Sequence, residues 1–548
     1  MDISRLGTAP GIVCGVLAAL CTQSPRAAAQ VGDRDPGAVD STTTSVAPLL
    51  PVAEALAGFD GFAASVLAEW QLPGLAVGVV RGGEVVLAQG YGYRDLESRL
   101  PVTEHTVMPI GSNTKSFTAT LLAMLVDEGA IEWDRPVRDY LPDFQLRDDF
   151  ATAEMTARDL LTHQSGLPRH DHVWYGRAVT RSELFARLQH LEPNASFRSR
   201  FQYQNLMFMV AGQLAERVAA IDWGQMVEER IFRPLGMTRS STSVADIAAA
   251  GDYAFPYLLT DGKLERVAFR EMDAIGPAGA VNSSAVEMLA YIQMHLDGGV
   301  FAGRRHLSAG SSALMQRPHS AIPGRSKHGE VGQSSYGLGV QVGSYRGRAM
   351  VTHGGGVDGF ASAMSWLPHE RIGVIVLTNR SGGTNPAPMI VTYNLFDRLL
   401  GLPEIDWSER SRELHAEQRS RAAEGAEEDG ERGAQGTHPA RELRAYVGHY
   451  SHPAYGTMEV RIAAGAKRLE IAYDEFRLGL EHRQDDTFRI SSRPALLAVS
   501  GLVTFSFDET GTAATVAIPF EPNGADIVFE RDGSTGRGGV DRASGQNS

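Results

Sequence analysis

A segment with almost no large apolar residues divides this chain into two parts. Its core is SRAAEGAEEDGERGAQGTHPAR, which ends at Arg441. Such a segment cannot offset the entropy of ordering by burying apolar surface. We therefore predict a charged linker over 408–441, with some helix at its start, between a folded unit at 52–407 and a second one at 442–533. The 548 residues are enough for two domains.

Residues 1–29 have the features of a secretory signal. Arg5 supplies a weak positive charge, residues 12–20 are apolar, and Ala27-Ala28-Ala29 offers a small-residue cleavage site. The apolar run is too short to cross a bilayer, and no later run is long enough, so we predict no membrane span. These features predict a periplasmic or extracellular protein; a disordered cytosolic N-terminus is the alternative.

Both cysteines, Cys14 and Cys21, lie inside this signal, so the mature chain is expected to need no disulfide. Lipidation at Cys21 is the minor interpretation, because Leu20 stands where a small residue is normal. We predict a flexible leader at 30–51 and a disordered tail at 534–548. The net charge of −14 argues against nucleic acid and anionic membranes as partners. The sequence makes no prediction of the oligomeric state.

The two folded units differ in their patterns. Residues 52–407 mix helical and strand-like segments, including a hairpin at 75–94, a helix at 116–128 and late strands near 348–353 and 372–379. This mixture predicts a domain that contains both helices and strands. Residues 442–533 contain short strands only, separated by turns, which predicts a small antiparallel barrel or sandwich.

The stretch PIGSNTKSFTAT carries a serine and a lysine three residues apart before an apolar run. On a helix, Ser112 and Lys115 share one face, which places the amine beside the hydroxyl. A serine needs such a base to become a nucleophile, and burial near positive charge lowers the pKa of a lysine towards that role. A capping serine beside a solvated lysine is the alternative interpretation.

Two further segments carry chemistry in the same order along the chain. Tyr203 and Asn205 precede a second apolar helix, and a strand ends in His353 followed by three glycines. Serine enzymes that recognise penicillin carry three motifs in this order. The chain resembles the serine β-lactamase and penicillin-binding-protein superfamily, in its class C-like branch with esterases and D-stereospecific peptidases. The resemblance spans about 55–400 and rests also on the segments RDLLTHQSGLP, FRPLGM, PAGAVNSS, YGLGV and HGGGVDGF.

The resemblance implies an α+β domain, an antiparallel sheet flanked by helices with a helical subdomain. It implies that the strands at 442–533 form the small barrel that some related peptidases carry. It also implies a role for each motif residue. Ser112 resembles the nucleophile that is acylated, Lys115 its proton acceptor, and Tyr203 the tyrosine that shares acid and base duty. Asn205, His353 and Gly355 resemble substrate-binding residues, and the backbone N–H groups of Ser112 and Gly356 the oxyanion hole. No metal or cofactor is implied.

His353 departs from the family pattern, in which a lysine binds a substrate carboxylate. A histidine is mostly neutral near pH 7. The resemblance therefore implies a secreted serine hydrolase that forms an acyl-enzyme on peptides or amides with D-residues, or on small esters. A β-lactamase or D-Ala-D-Ala carboxypeptidase is one alternative, and a non-catalytic penicillin-recognising binding or sensor protein is another.

Four polar sites have plainer interpretations. Tyr203 could be a core tyrosine, and His353 a structural histidine at a strand end. The run Arg169-His170-Asp171-His172 has metal-ligand side chains, but we interpret it as an exposed polar loop. His163 is interpreted as packing beside a turn.

Overall fold

The computed structural model describes residues 50–533 apart from 261, 325, 382–384, 432–438, 466–467, 493–498 and 522–523. The predicted signal, nearly all of the leader, the tail and residues 432–438 of the linker's charged core lie outside the described residues. None of the helices within the described ranges is long and apolar enough to cross a membrane.

A nine-stranded antiparallel sheet forms the centre of the first domain. The strands of this domain are β1 (Gly74–Arg81), β2 (Glu84–Asp95), β3 (Leu100–Pro101), β4 (Met108–Pro109), β5 (Tyr257–Thr260), β6 (Lys263–Arg266), β7 (Asn282–Ser283), β8 (Val300–Phe301), β9 (Arg304–Arg305), β10 (Ser320–Ala321), β11 (Ser335–Tyr336), β12 (Gln341–Tyr345), β13 (Arg348–Val357), β14 (Phe360–Leu367), β15 (Ile372–Thr378) and β16 (Arg380–Ser381). The strand order in the nine-stranded sheet is β10-β11-β12-β13-β14-β15-β1-β2-β3. The predicted hairpin is β1 and β2, and the predicted late strands are β13 and β15.

The middle of the sheet is buried on both faces, which explains its continuous apolar runs. In β1, Ala76 and Val80 face one core, while Leu75, Val77 and Val79 face the other. Because side chains alternate along a strand, a sheet covered by helices on both sides needs apolar residues at every position. The helices are α1 (Val52–Ala55), α2 (Phe59–Glu69), α3 (Thr114–Asp127), α4 (Asp149–Glu154), α5 (Ala157–Leu160), α6 (Arg181–Arg187), α7 (Leu206–Ala219), α8 (Trp223–Val227), α9 (Arg233–Leu235), α10 (Gly276–Gly279), α11 (Ala285–Leu296), α12 (Ala309–Met315), α13 (Ala387–Leu399) and α14 (Trp407–Glu431).

The second domain is a closed eight-stranded barrel, so of the two predicted architectures the barrel is the one observed. Each strand is antiparallel to the next, and the last pairs with the first through Arg531 opposite Tyr450. Closure pairs each of these described strands on both sides, which removes the exposed sheet edges that would otherwise invite aggregation. The strands are β17 (Gly448–His452), β18 (Gly456–Ile462), β19 (Leu469–Tyr473), β20 (Phe476–Gln484), β21 (Thr487–Ser492), β22 (Leu502–Phe507), β23 (Ala513–Ile518) and β24 (Ile527–Arg531).

The connection between the domains begins as a long helix, α14. Trp407 at its start is buried, and Trp70 donates a 2.8 Å hydrogen bond to the Ser408 hydroxyl. This anchors the start of the predicted linker on the first domain. The fold is therefore α+β with a separate β-barrel at its C-terminal end, as predicted.

Candidate active site

Ser112 lies in a single turn of 3₁₀ helix, Gly111–Asn113, that leads into α3. The turn is tied to the sheet, because the Asn113 amide donates to the Ser362 hydroxyl at 2.8 Å and Ser362 donates to the Ile110 carbonyl at 2.9 Å. The serine is therefore held at the sheet surface, where a helix begins and its backbone N–H groups lack intrahelical partners.

Lys115 is fully buried and points back at the serine. Its Nζ lies 3.1 Å from the Ser112 Oγ, 2.8 Å from the Asn205 Oδ1 and 2.9 Å from the Ala278 carbonyl oxygen. Burial lowers the pKa of Lys115 well below its ordinary value, the positive charge of Arg169 lowers it further, and Asp171 acts in the opposite direction. An amine in this state can accept a proton from the hydroxyl it touches.

Tyr203 faces the same pair of side chains. Its ring lies 4.8 Å from the Lys115 Nζ, and its hydroxyl lies close enough to Ser112 for that side chain to lower the pKa of the phenol. Burial raises the pKa of Tyr203 above its ordinary value, and the contact with Ser112 opposes that shift only in part, so the phenol is protonated. His163 packs on the ring at 4.3 Å and its Nδ1 accepts from the Gln204 N–H at 3.0 Å, which agrees with a packing role beside a turn.

Asn205 connects the lysine to a carboxylate. Its Oδ1 accepts from Lys115, and its Nδ2 donates to the Asp171 Oδ1 at 2.9 Å. Although Asn205 immediately precedes α7, its side chain caps no backbone group of that helix. The Gln204 side chain accepts from the Leu206 N–H instead, at 2.8 Å. The Asn205 amide is thereby free to orient the lysine.

His353 is buried in β13, with both ring nitrogens engaged. The Gly354 carbonyl can only accept, so the Nδ1–H donates to it at 2.7 Å, and the Nε2 of the neutral ring accepts from the Tyr336 hydroxyl at 2.8 Å. Burial, followed by the charge of Lys115, lowers the pKa of His353 to about 3. The imidazole is therefore neutral at working pH and flanks Tyr203 with 6.4 Å between ring centroids.

The glycines after His353 lie against the serine turn. A Cβ at Gly355 would lie 1.9 Å from the Ile110 carbonyl oxygen, and a Cβ at Gly111, whose φ is +54°, would lie 2.7 Å from the Gly356 nitrogen. Only glycine permits this approach of two backbones. Packing against Ile110 thus accounts for Gly355, and the Gly356 N–H is placed beside the turn that carries Ser112.

The expectation of an exposed polar loop at 169–172 holds for Arg169, which is about half exposed, but it is wrong for His170. His170 is only 1 % exposed, and its Nε2 donates to the Glu192 carbonyl at 3.0 Å. The reason is that the barrel covers His170. The hydroxyl oxygen of Tyr455, a barrel residue, lies 2.6 Å from the His170 Nδ1. Among the described residues, no group of three or more histidine, cysteine or acidic side chains is arranged to hold a metal ion.

Sequence reasoning missed three residues that contact this site. Tyr336 lies in the quoted motif YGLGV but received no role, and Arg169 and Asp171 were interpreted as solvent-exposed. The available signal was the alternation of charged residues with histidines in Arg169-His170-Asp171-His172. Such a pattern is typical of a segment whose neighbouring side chains face different surroundings.

Relatives with similar sequences and folds cover most of this chain. An unguisins hydrolase of Aspergillus violaceofuscus (strain CBS 115571) is 28% identical over 498 residues, or 83% of this chain and 86% of the relative. The octameric penicillin-binding protein homologue from Pyrococcus abyssi covers 87% of this chain and 100% of its own, with a TM-score of 0.58 and 24% identity. A class C beta lactamase from Rhodobacter sphaeroides covers 64% of this chain and 99% of its own, with a TM-score of 0.51 and 25% identity.

Family models match both domains. Residues 433–531, which include the barrel, match a domain of unknown function (DUF3471). Residues 59–395 match the Beta-lactamase model, and they contain the serine, lysine, tyrosine and histidine described above. The resemblance noted in the sequence is therefore confirmed: this chain belongs to the beta-lactamase family of serine hydrolases and penicillin-binding proteins.

Proposed function

We propose that this protein hydrolyses amide or ester bonds through an acyl-enzyme on Ser112. The observation that carries the proposal is the fully buried Lys115, whose Nζ lies 3.1 Å from the Ser112 hydroxyl. Lys115 accepts the hydroxyl proton as the serine attacks, and Tyr203, which is protonated, supplies a proton to the leaving group. The N–H groups of Ser112 and Gly356 receive the oxyanion. Water then attacks the acyl carbon and gives a proton to the Tyr203 phenolate, while Lys115 returns its proton to the departing Ser112 oxygen. The acyl group leaves as the acid and the three side chains are restored, so the protein acts as a catalyst and not only as a binding protein.

The substrates we propose are neutral beside the scissile bond: peptides or amides with D-residues, or small esters. Support comes from His353, which replaces the family lysine and is buried, neutral and bound to Tyr336. A neutral imidazole offers no cation to a carboxylate. This argues against the β-lactamase and D-Ala-D-Ala carboxypeptidase alternatives. A hydrolytic activity also agrees with the name of the unguisins hydrolase relative. We further propose export through the N-terminal signal.

Mass spectrometry of the intact protein tests the acyl-enzyme. Incubation with a fluorophosphonate or a slow ester is expected to add one covalent group, on the peptide that contains Ser112. Ser112→Ala should take up no group and should retain its fold, because the serine is small and only half-buried. Ser116→Ala, on the next turn of α3, is the matched control, and this variant should still be labelled on Ser112. A label on another serine, or a labelled Ser112→Ala protein, would exclude the mechanism.

A matched pair of substrates, a free acid and its primary amide, tests the role of His353. Because the pKa of His353 is lowered to about 3, the ring stays neutral between pH 5.5 and 7.5. The ratio of kcat/KM for acid over amide is therefore expected to stay constant across that range. A histidine with its ordinary pKa of about 6.5 would instead make the ratio rise as the pH falls. His353→Lys is expected to raise the ratio at pH 7.5, and a ratio that rises towards acid pH in the parent protein contradicts the assignment.

A further inference from the structure

The segment 169–172 presents two of its side chains to the catalytic residues. The Arg169 guanidinium carbon lies 5.1 Å from the centre of the Tyr203 ring, and the Arg169 Nε donates to the Asp171 Oδ2 at 2.6 Å. The other oxygen of Asp171 accepts from Asn205 at 2.9 Å and from the Trp174 indole at 3.0 Å. The carboxylate of Asp171 thus receives three donors that fix its position.

The other two side chains of the segment, those of His170 and His172, face the barrel. His170 lies against Tyr455, and the His172 ring packs 4.8 Å from the Phe520 ring. The His172 carbonyl accepts a 2.9 Å hydrogen bond from the Tyr473 hydroxyl. The backbone explains this division, because His170 has a left-handed conformation (φ +49°) and leads into a short 3₁₀ helix at Asp171–Val173, so the neighbouring side chains leave the chain in different directions. The barrel therefore holds the backbone from which Arg169 and Asp171 reach the catalytic residues.

Asp171 determines which way the Asn205 amide faces. An amide has one end that accepts and one end that donates. Since the carboxylate of Asp171 can only accept, it binds the Nδ2 end, and the Oδ1 end must then face the Lys115 amine. The reversed amide would place two donors against each other. The orientation of Asn205, and through it the position of Lys115, depends on the carboxylate.

The two charges of the segment act on Lys115 in opposite directions. Arg169 lowers the pKa of Lys115, after the larger effect of burial, and Asp171 raises it. The other titratable groups that face this amine are Tyr203, His163 and His353, and these side chains are held in their uncharged forms. Arg169 and Asp171 are therefore the charged side chains whose removal should change the proton affinity of the lysine.

We propose that Arg169 and Asp171 form a paired positioning element for the catalytic lysine, held in place by the barrel. This inference rests on the proposed function, in which Lys115 accepts the serine proton. Neither residue is assigned contact with the reacting atoms. Asp171 orients Asn205, Arg169 fixes Asp171 and covers Tyr203, and the barrel contacts of His170 and His172 keep the segment in register with the cleft.

The pH dependence of kcat/KM tests the pair, because its acid limb reports deprotonation of the essential base in the free enzyme. Asp171→Asn removes a charge that favours protonated Lys115, so the acid limb is expected to move to lower pH. Arg169→Gln removes a charge that opposes protonation, so the acid limb is expected to move to higher pH. Asp171→Asn should also lower kcat/KM by on the order of 10²-fold, the loss that follows from a displacement of about 1 Å.

Matched variants separate these effects from general loss of charge or fold. Arg135→Gln and Asp139→Asn break an exposed ion pair of similar geometry, with 2.7 Å between Nε and Oδ2, and should leave the acid limb in place. Arg169 is about half exposed, so Arg169→Gln is expected to fold even if Asp171→Asn does not. Tyr455→Phe removes the hydroxyl beside His170 and should lower kcat/KM about fivefold, as for one lost hydrogen bond.

Acid limbs that stay in place or move in the same direction in both charge variants overturn the pairing, provided that Ser112 is still labelled. Unchanged kcat/KM in Tyr455→Phe overturns the role of the barrel. Failure of Ser112 labelling in the parent protein is a failure of the proposed function, and this measurement distinguishes it from failure of the pair.

Discussion

Lys115→Met is expected to lower kcat/KM by on the order of 10²-fold to 10⁴-fold, the range for loss of a proton-transfer partner. Methionine fits the length and burial of the lysine side chain but has no nitrogen to receive the Ser112 proton. It also leaves the Asn205 Oδ1 and the Ala278 carbonyl without their shared donor. Steady-state kinetics on an activated ester and circular dichroism of the folded variant are the required measurements.

A second substitution tests whether the lysine acts within a unit. Tyr203→Phe should also cost on the order of 10²-fold, since in the proposed mechanism the phenol donates a proton to the leaving group. The double variant should be little worse than Lys115→Met, because residues that act together lose their contribution together. Losses that multiply would show that the two side chains serve separate steps. Near-parent activity of Lys115→Met would exclude the lysine as the proton acceptor.

Gly355→Ala is expected to reduce kcat/KM by at least on the order of 10²-fold, without any change in a catalytic side chain. Its Cβ would lie 1.9 Å from the Ile110 carbonyl oxygen and 2.4 Å from the Ser362 hydroxyl, so the strand and the serine turn must separate. A displacement of about 1 Å in a catalytic centre costs roughly this much. Thermal unfolding is expected at a lower temperature, because the same contact joins the sheet to the turn.

The neighbouring glycine provides the control. A Cβ at Gly354 would have its nearest contact at 3.9 Å, the Ser362 carbonyl oxygen, which is an ordinary van der Waals distance. Gly354→Ala should therefore retain most of the activity and the stability of the parent protein. Equal losses in the two variants would show that flexibility of the glycine run, and not close approach, is what the site requires.

Much of the fold follows from local sequence patterns. The turn Arg81-Gly82-Gly83 between two apolar runs identifies the first hairpin, and the apolar positions after Lys115 identify α3. The spacing of Ser112 and Lys115 is also local, since one helical turn brings them together. Patterns of this kind depend on neighbours in the chain and can be recognised without the structure.

The neighbours of His353 and Asp171 depend on contacts between distant parts of the chain. His353 meets Tyr336 only because β11 lies two strands from β13 in the sheet. Asp171 belongs to a segment whose polar residues predict exposure, but its two histidines are covered by a barrel that begins almost 300 residues later. Polarity predicts exposure only when no other domain covers the segment, and a single sequence does not reveal that covering.

The burial of Lys115 makes proton uptake a part of unfolding. An unfolded lysine has a pKa of about 10.4, whereas burial holds the pKa of Lys115 well below its ordinary value in the folded protein. At any pH between those two values the unfolded chain binds one more proton at this position, so the free energy of unfolding rises with pH across that interval. Below about pH 6.5, His353 adds to the uptake with the same sign. The calorimetric enthalpy of unfolding must consequently differ between buffers with different ionisation enthalpies. Burying Lys115 lowers the free energy of unfolding, and this cost becomes smaller as the pH rises towards the ordinary pKa of lysine.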